Sequence, residues 1–256
     1  MAERITIIDF VDKYTKLYAQ DTFIREKLDG QWQETSFENT RKEGRLLAGA
    51  FMSLGLKKGE RVALLSEGRK LWVIAELGIL YAGGVDVPLS IKLEESNDLL
   101  FRINHSDSRF VVVSKQQLPK IRKILADTPQ VERVIVLDDL AEYGEKEMGI
   151  SDFIALGKKF LAENEPLLTE RSASIGPDDY ANISYTSGTT ADPKGVVLTH
   201  RNYTANVEQG SSVINIGKGD VMLILLPLDH CFAHVAGFYT MMMYGGSIAT
   251  VPVGKN

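Results

Sequence analysis

From Tyr185 to Gly195 the chain reads YTSGTTADPKG, and these are side-chain types that hold anions. Thr186, Ser187, Thr189 and Thr190 supply hydroxyl donors, Gly188 lets the backbone turn and approach a ligand closely, and Lys194 supplies a mobile positive charge. Successive backbone N–H groups in such a turn form an anion-binding concavity, and exclusion of water strengthens each contact to a phosphate oxygen. Ser, Thr and Gly are also ordinary turn residues. Hydroxyls crowded around one glycine and followed by Pro-Lys-Gly exceed what a surface turn requires, so the stretch is read as an anion-binding loop.

Two other assignments share this chemistry. Gly188 and Lys194 have the spacing of the first glycine and the lysine in GxxxxGK[ST], the phosphate loop of many ATPases and kinases. Against that, Pro193 stands where the second glycine should donate its N–H, and Gly195 stands where a hydroxyl should hold Mg²⁺. A P-loop-type phosphotransferase is therefore the weaker alternative, beside a stand-alone nucleotide- or anion-binding module without catalysis.

YTSGTT and PKGVVLTHRN resemble the TSGTTGxPKG signature of the adenylate-forming superfamily, and DYANIS resembles the strand leading into it. Ala191 departs from the pattern, which has glycine there; a methyl group disfavours a positive φ and crowds the loop. Downstream, LPLDHCFAHVAGF resembles the LP(L)xHxFxxxxG segment in the form seen in long-chain fatty acyl-CoA synthetases. The resemblance covers most of Thr35 to Val251, with its specific motifs confined to Tyr185–Asn202 and Leu226–Gly237.

The resemblance implies activation of a carboxylic acid by ATP to an acyl-adenylate, with release of pyrophosphate, and then thioester formation with coenzyme A. Thr186, Ser187, Gly188, Thr189, Thr190 and Lys194 would hold the ATP phosphates, with Mg²⁺ sharing their charge. His230 and Phe232 would line the acyl side, and His200 would orient the loop. No residue is assigned a catalytic role. Family members run to roughly twice this length by fold-level analogy. Their adenine-binding element, ribose aspartate, hinge and late catalytic lysine are not found here. The expectation is the N-terminal portion of a large adenylate-forming domain, inactive alone, with the C-terminal domain absent.

Taken without the resemblance, residues 226–238 admit other chemistry. His230, Cys231 and His234 could form a metal cluster, although no partner cluster accompanies them. Cys231 beside His230 could be a nucleophilic pair, although adjacent residues seldom face each other. A polar helix start followed by core residues is the plain reading. Met241, Met242 and Met243 are expected to fill core beside Phe238 and Tyr239, or to line an acyl tunnel. His105 has no partner at ligand spacing.

The elements that must position these residues follow from periodicity. An amphipathic opening near Ile7 to Tyr18 precedes a hairpin centred on Asp29-Gly30. Ser36 then starts a helix that Gly55 ends. From Arg61, short apolar runs alternate with helical stretches: RVALLS, Trp72 to Ala82, VDVPL, Glu94 to His105, RFVVVS, Gln116 to Ala126, RVIVL, and Asp152 to Ala162. Apolar runs without alternation suit strands covered on both faces and joined by helical crossovers, so the fold class is α/β with parallel-sheet layers. Ala141 to Pro177 reads as a charged surface excursion before the strand Tyr180 to Tyr185. VVLT, a helix from Asn202 to Ile214, the strand VMLILLPL, a helix from Val235 to Tyr244 and the strand SIATV follow. A boundary near residue 178 is expected between two subdomains.

Composition bounds the rest. The 256 residues are 44% hydrophobic and 25% charged with a net charge of −5, which excludes disorder and offers no basic surface for nucleic acid. A single cysteine fits a reducing compartment, and the N-terminus lacks a secretory pattern, so the cytoplasm is expected. The longest apolar run, Leu71 to Leu89, is broken by Glu76 and Asp86. Membrane contact is expected only through a lipid substrate.

Overall fold

The computed structural model describes residues 5–186, 193–211, 216–230 and 233–251. Helix α1 (Ile7–Tyr18) opens on a reciprocal cap, Thr6 Oγ1 accepting the Asp9 N–H at 3.0 Å and Asp9 accepting the Thr6 N–H at 2.9 Å. Strands β1 (Thr22–Leu28) and β2 (Gln31–Ser36) join through Asp29 and Gly30, whose φ angles of 49° and 81° make the expected two-residue hairpin turn. Ser36 caps α2 (Phe37–Ser53) by accepting the Asn39 N–H at 3.2 Å.

The repetitive middle of the chain builds β3 (Arg61–Leu65), α3 (Lys70–Tyr81), β4 (Val85–Pro88), α4 (Ser96–His105), β5 (Ser108–Val113), α5 (Leu118–Ile124) and β6 (Arg133–Val136). Beyond it lie β7 (Glu147–Gly149), α6 (Ile150–Ala173), β8 (Tyr180–Thr186) and β9 (Lys194–Thr199). These strands form a seven-stranded sheet in the order β7-β6-β5-β3-β4-β8-β9, parallel throughout except that β9 runs antiparallel to β8. Its central strands are buried on both faces, as unbroken apolar runs require.

After α7 (His200–Ser211) come β10 (Val221–Leu223), a π-helix over Ala233–Tyr239, α8 (Thr240–Met243) and β11 (Ser247–Thr250). The second sheet has four strands in the order β10-β11-β1-β2. The N-terminal hairpin therefore sits beside β11, while β8 and β9 belong to the first sheet, so the two sheets do not part at residue 178. Helix α3 touches both sheets, and every residue from Trp72 to Tyr81 is buried. The Leu71–Leu89 run is thus core, and among the described residues no helix is long and apolar enough to cross a membrane.

Two expectations are corrected. The charged stretch from 141 to 177 is not a surface excursion: it holds β7 and the 24-residue α6. The helix expected over Asp152–Ala162 runs on past Pro166: the backbone breaks at Asn164, so the proline falls in the first turn of the following segment, where its missing N–H costs nothing. Helix α6 lies so close to α2 that a Cβ on Gly157 would stand 2.0 Å from the Leu46 carbonyl oxygen. The run VMLILLPL is not one long strand either. The strand covers only Val221–Leu223 at the sheet's edge, the Ile224 N–H makes a last bond to the Ala249 carbonyl at 2.9 Å, and Leu225 is left 76% exposed.

Candidate active site

Strands β3, β4, β5, β6 and β8 run parallel, so their carboxyl ends open on one side, where open α/β sheets take ligands. Strand β8 ends there at Thr186, and its antiparallel partner β9 begins at Lys194 directly opposite. The ladder thus brings Thr186 and Lys194 together as the exposed neck of a hairpin. Ser187, Gly188, Thr189, Thr190 and Ala191 lie outside the described residues. A P-loop feeds from its strand into a helix whose N-terminus holds the phosphate. Here the chain returns as a strand, which rules out the P-loop assignment.

The residues just before the two motif positions meet. Tyr185, ahead of Thr186, and Asp229, ahead of His230, line one cleft of about 330 Å³ with Pro88, Ser90, Lys92 and Arg102. The Tyr185 hydroxyl donates to the Arg102 carbonyl at 3.2 Å and lies 2.9 Å from His105 Nδ1, which gives His105 a structural partner. Arg102 sits 5.7 Å over the tyrosine ring. Burial pushes the Asp229 carboxyl above its ordinary range, against the Ser90 hydrogen bond and the nearby His230 and Lys92.

A second hollow of about 230 Å³ shares Lys92 with this cleft and is walled by Ile91 and residues 224–227. A third, of about 250 Å³, shares Glu67, Gly68 and Val251 with the second and reaches Arg69, whose guanidinium binds both Asp138 oxygens at 2.9 and 3.1 Å. Together they form a furrow along the strand ends, with Tyr185 of the β8–β9 hairpin at one end and an apolar wall beyond it. The exposed Leu225 and Leu226 belong to that wall, which accounts for apolar residues that do not continue a strand.

His230 is exposed at this wall, its N–H donating to the Pro227 carbonyl at 3.0 Å and its carbonyl accepting the His234 N–H at 3.1 Å. Phe232 and Cys231 lie outside the described residues. His234 is buried with both ring nitrogens engaged: Nε2 with Glu76 Oε1 at 2.5 Å, and Nδ1 with the Tyr203 hydroxyl at 3.2 Å. A histidine so held has no lone pair for a metal, which removes the metal-cluster reading. Met241 and Met242 are buried in the core with Phe238 and Tyr239.

His200 does not reach into the furrow. It is buried, and its Nδ1 accepts the Ile7 N–H at 3.2 Å, clipping the start of α1 to the start of α7. Burial lowers its pKa to about 4. Sequence reasoning missed the carboxyls inside the fold. Glu76 and Asp86 look like interruptions of an apolar run, yet both are buried, Glu76 accepting hydrogen bonds at Oε1 and Asp86 standing in register with Asn182 of β8. Burial first, then the Glu76 charge, raises the Asp86 carboxyl well above its ordinary range. One signal was legible: a lone carboxylate in an otherwise apolar helix needs a buried partner.

A sheet whose ligand edge carries a hydroxyl-rich hairpin defines a class, and the chain belongs to it: residues 13–255 match the AMP-binding enzyme family. Within that adenylate-forming class, it is 26% identical over 251 residues to the long-chain-fatty-acid–CoA ligase ACSBG2 of Xenopus laevis, across 95% of this chain and 33% of that protein. It is 28% identical over 236 residues to the crotonobetaine/carnitine–CoA ligase of Proteus mirabilis, across 89% of this chain and 43% of that one. The chain therefore spans about a third to two-fifths of these relatives. The anthranilate CoA ligase AuaEII, solved with anthranoyl-AMP, superposes with a TM-score of 0.84 at 22% identity, over 98% of this chain and 45% of its own. The N-terminal domain of FACL13 from Mycobacterium tuberculosis gives 0.80 at 24% identity, over 98% and 58%. These two likenesses establish the fold, an α/β arrangement of mostly parallel sheets.

Proposed function

We propose that this chain supplies the phosphate loop and part of the acyl-binding wall of a ligase that activates a long-chain fatty acid with ATP and then transfers the acyl group to coenzyme A. The observation that carries the reading is the shared cleft, which both Tyr185 of the hairpin and Asp229, two residues beyond the apolar wall, line. In the first step a carboxylate oxygen attacks the α-phosphorus, and pyrophosphate leaves. In the second the CoA thiolate attacks the acyl carbon, and AMP leaves. Thr186, Lys194 and the hydroxyls between them grip the β- and γ-phosphates, so that the leaving pyrophosphate keeps its charge partners. His230, Phe232 and the wall of residues 224–227 take the apolar chain and keep water from the reacting centre.

Among the described residues no three His, Cys, Asp or Glu side chains converge as metal ligands. A magnesium ion arriving with ATP would share the charge of the phosphate oxygens with Lys194. The long-chain assignment draws on the name of the Xenopus relative and on the form of residues 226–238.

Lys194→Ala, placed in a chain of the relatives' full length, should lower kcat/KM for ATP by about 10²- to 10³-fold, the size seen when one transition-state donor is lost. An unchanged ATP response would remove Lys194 from the phosphate site. The 256-residue chain alone should show no ATP–pyrophosphate exchange with any fatty acid, and robust exchange would contradict the division of labour proposed here.

A further inference from the structure

The polar side chains buried beneath the apolar wall form one connected set. Glu76 on α3 accepts at a single oxygen, Oε1, from the Tyr239 hydroxyl at 2.8 Å and from His234 Nε2 at 2.5 Å. A carboxylate only accepts, so the Glu76 contact puts a proton on His234 Nε2, while Nδ1 lies 3.2 Å from the Tyr203 hydroxyl. Each of the four residues is buried. Burying a carboxylate in an apolar helix is costly unless it is paired and hydrogen-bonded, so the position calls for a role.

His234 and Tyr239 are five residues apart on the π-helix Ala233–Tyr239. In an α-helix residues five apart point about 140° away from each other, since each residue advances about 100°. A π-helix pairs i with i+5 and places the later residue over the earlier one. The same spacing recurs next door, where Thr240 Oγ1 donates to the Val235 carbonyl at 3.0 Å. One carboxylate oxygen can therefore hold His234 and Tyr239 together only while the π winding persists. The backbone N–H of His234 in turn donates to the His230 carbonyl at 3.1 Å, so the winding fixes how the chain leaves the helix toward His230 and Asp229 at the cleft.

We propose that Glu76 is a register lock: it holds residues 233–239 in the π winding and so sets the position of the His230 wall, acting as a positioning residue for the molecule that the wall receives. That this molecule is an acyl chain rests on the function proposed above; the lock itself does not.

Glu76→Leu removes the acceptor at similar volume, Glu76→Gln keeps a carbonyl acceptor for both donors, and Tyr239→Phe removes one donor alone. Hydrogen exchange over residues 226–240 reads the winding. Affinities for cis-parinaric acid, a long-chain fatty acid probe, and for ATP read the wall and the loop separately. The expected result for Glu76→Leu is at least tenfold faster exchange in that segment and tenfold weaker fatty-acid binding, with ATP affinity unchanged. Glu76→Gln should restore both to within about threefold. Should Glu76→Leu fail to fold, Tyr239→Phe decides, with threefold to fivefold changes in the same two readouts. Unchanged exchange and unchanged affinities in Glu76→Leu, or in Tyr239→Phe where that variant decides, overturn the lock. Faster exchange in a protein whose unsubstituted form binds no fatty acid upholds the lock and sinks the acyl reading instead.

Discussion

The two sheets bury similar apolar faces with opposite demands on the chain. In the seven-stranded sheet β3, β4, β5 and β6 come from one stretch of sequence with a helix before each of the last three, and β5 passes β4 to pair with β3. In the four-stranded sheet β1 lies parallel to β11, so that Ile24 pairs with Ile248 from the far end of the chain. Long-range pairing costs loop-closure entropy before any contact rewards it, and such contacts form late. The hairpin neck, Thr186 and Lys194, stands on β8, which joins the seven-stranded sheet beside β4 and closes locally on β9, whereas the apolar wall stands on the sheet that needs both ends. The phosphate half of the furrow should therefore survive perturbations that dissolve the acyl half.

The largest effect is expected where the distant ends meet. Phe23 on β1 is fully buried, with its ring 4.7 Å from Phe37 and 5.5 Å from Phe238. Phe23→Ala should destabilise by about 3–5 kcal/mol in a urea titration. Hydrogen exchange should show protection lost first in β10 and β11 while β5 and β6 keep theirs. Equal loss in both sheets would break the comparison.

Next in size is a pH effect at His200, which ties α7 to α1. Its pKa is about 4 when folded against an ordinary 6.5, so the unfolded chain binds a proton that the folded chain refuses. Stability should be complete above pH 6.5 and fall by up to ~3 kcal/mol as the pH drops to about 4. His200→Gln should flatten that slope in a pH series of melting curves, and a slope unchanged by the substitution would place the titration elsewhere.

A smaller change of opposite sign is expected at Asp86. Its raised carboxyl binds a proton more tightly when folded, so its contribution is full at acid pH and declines as the pH rises. Asp86→Asn should make the protein more stable than the parent at pH 7 and not at pH 3, read from paired denaturant curves. The smallest effect belongs to Trp32, which is 48% exposed on β2: Trp32→Thr should shift stability by no more than about 0.5 kcal/mol.

Much of this was legible in the residues because it is local. The runs of β3, β5 and β6 are apolar on both faces, Asp29-Gly30 specifies its own turn, and the hydroxyl-rich loop announces its chemistry within a few positions. What stayed hidden was non-local. Nothing in Thr22–Leu28 names β11 as its neighbour, and nothing in Lys194–Thr199 says that it runs back along β8. The second half of α6 was masked by a proline that its kink accommodates. Glu76 and His234 stand 158 positions apart, and each alone resembles an exception to a pattern rather than half of a pair.

The central claim is that the hairpin neck grips the phosphate tail of a nucleotide at the ligand edge of the seven-stranded sheet. A crystal structure of this chain with ATP tests it most directly. The account predicts phosphate oxygens within hydrogen-bond reach of Thr186 and Lys194, at the mouth of the Tyr185–Asp229 cleft. Triphosphate bound away from that neck, with Thr186 and Lys194 making no contact to it, would contradict the account.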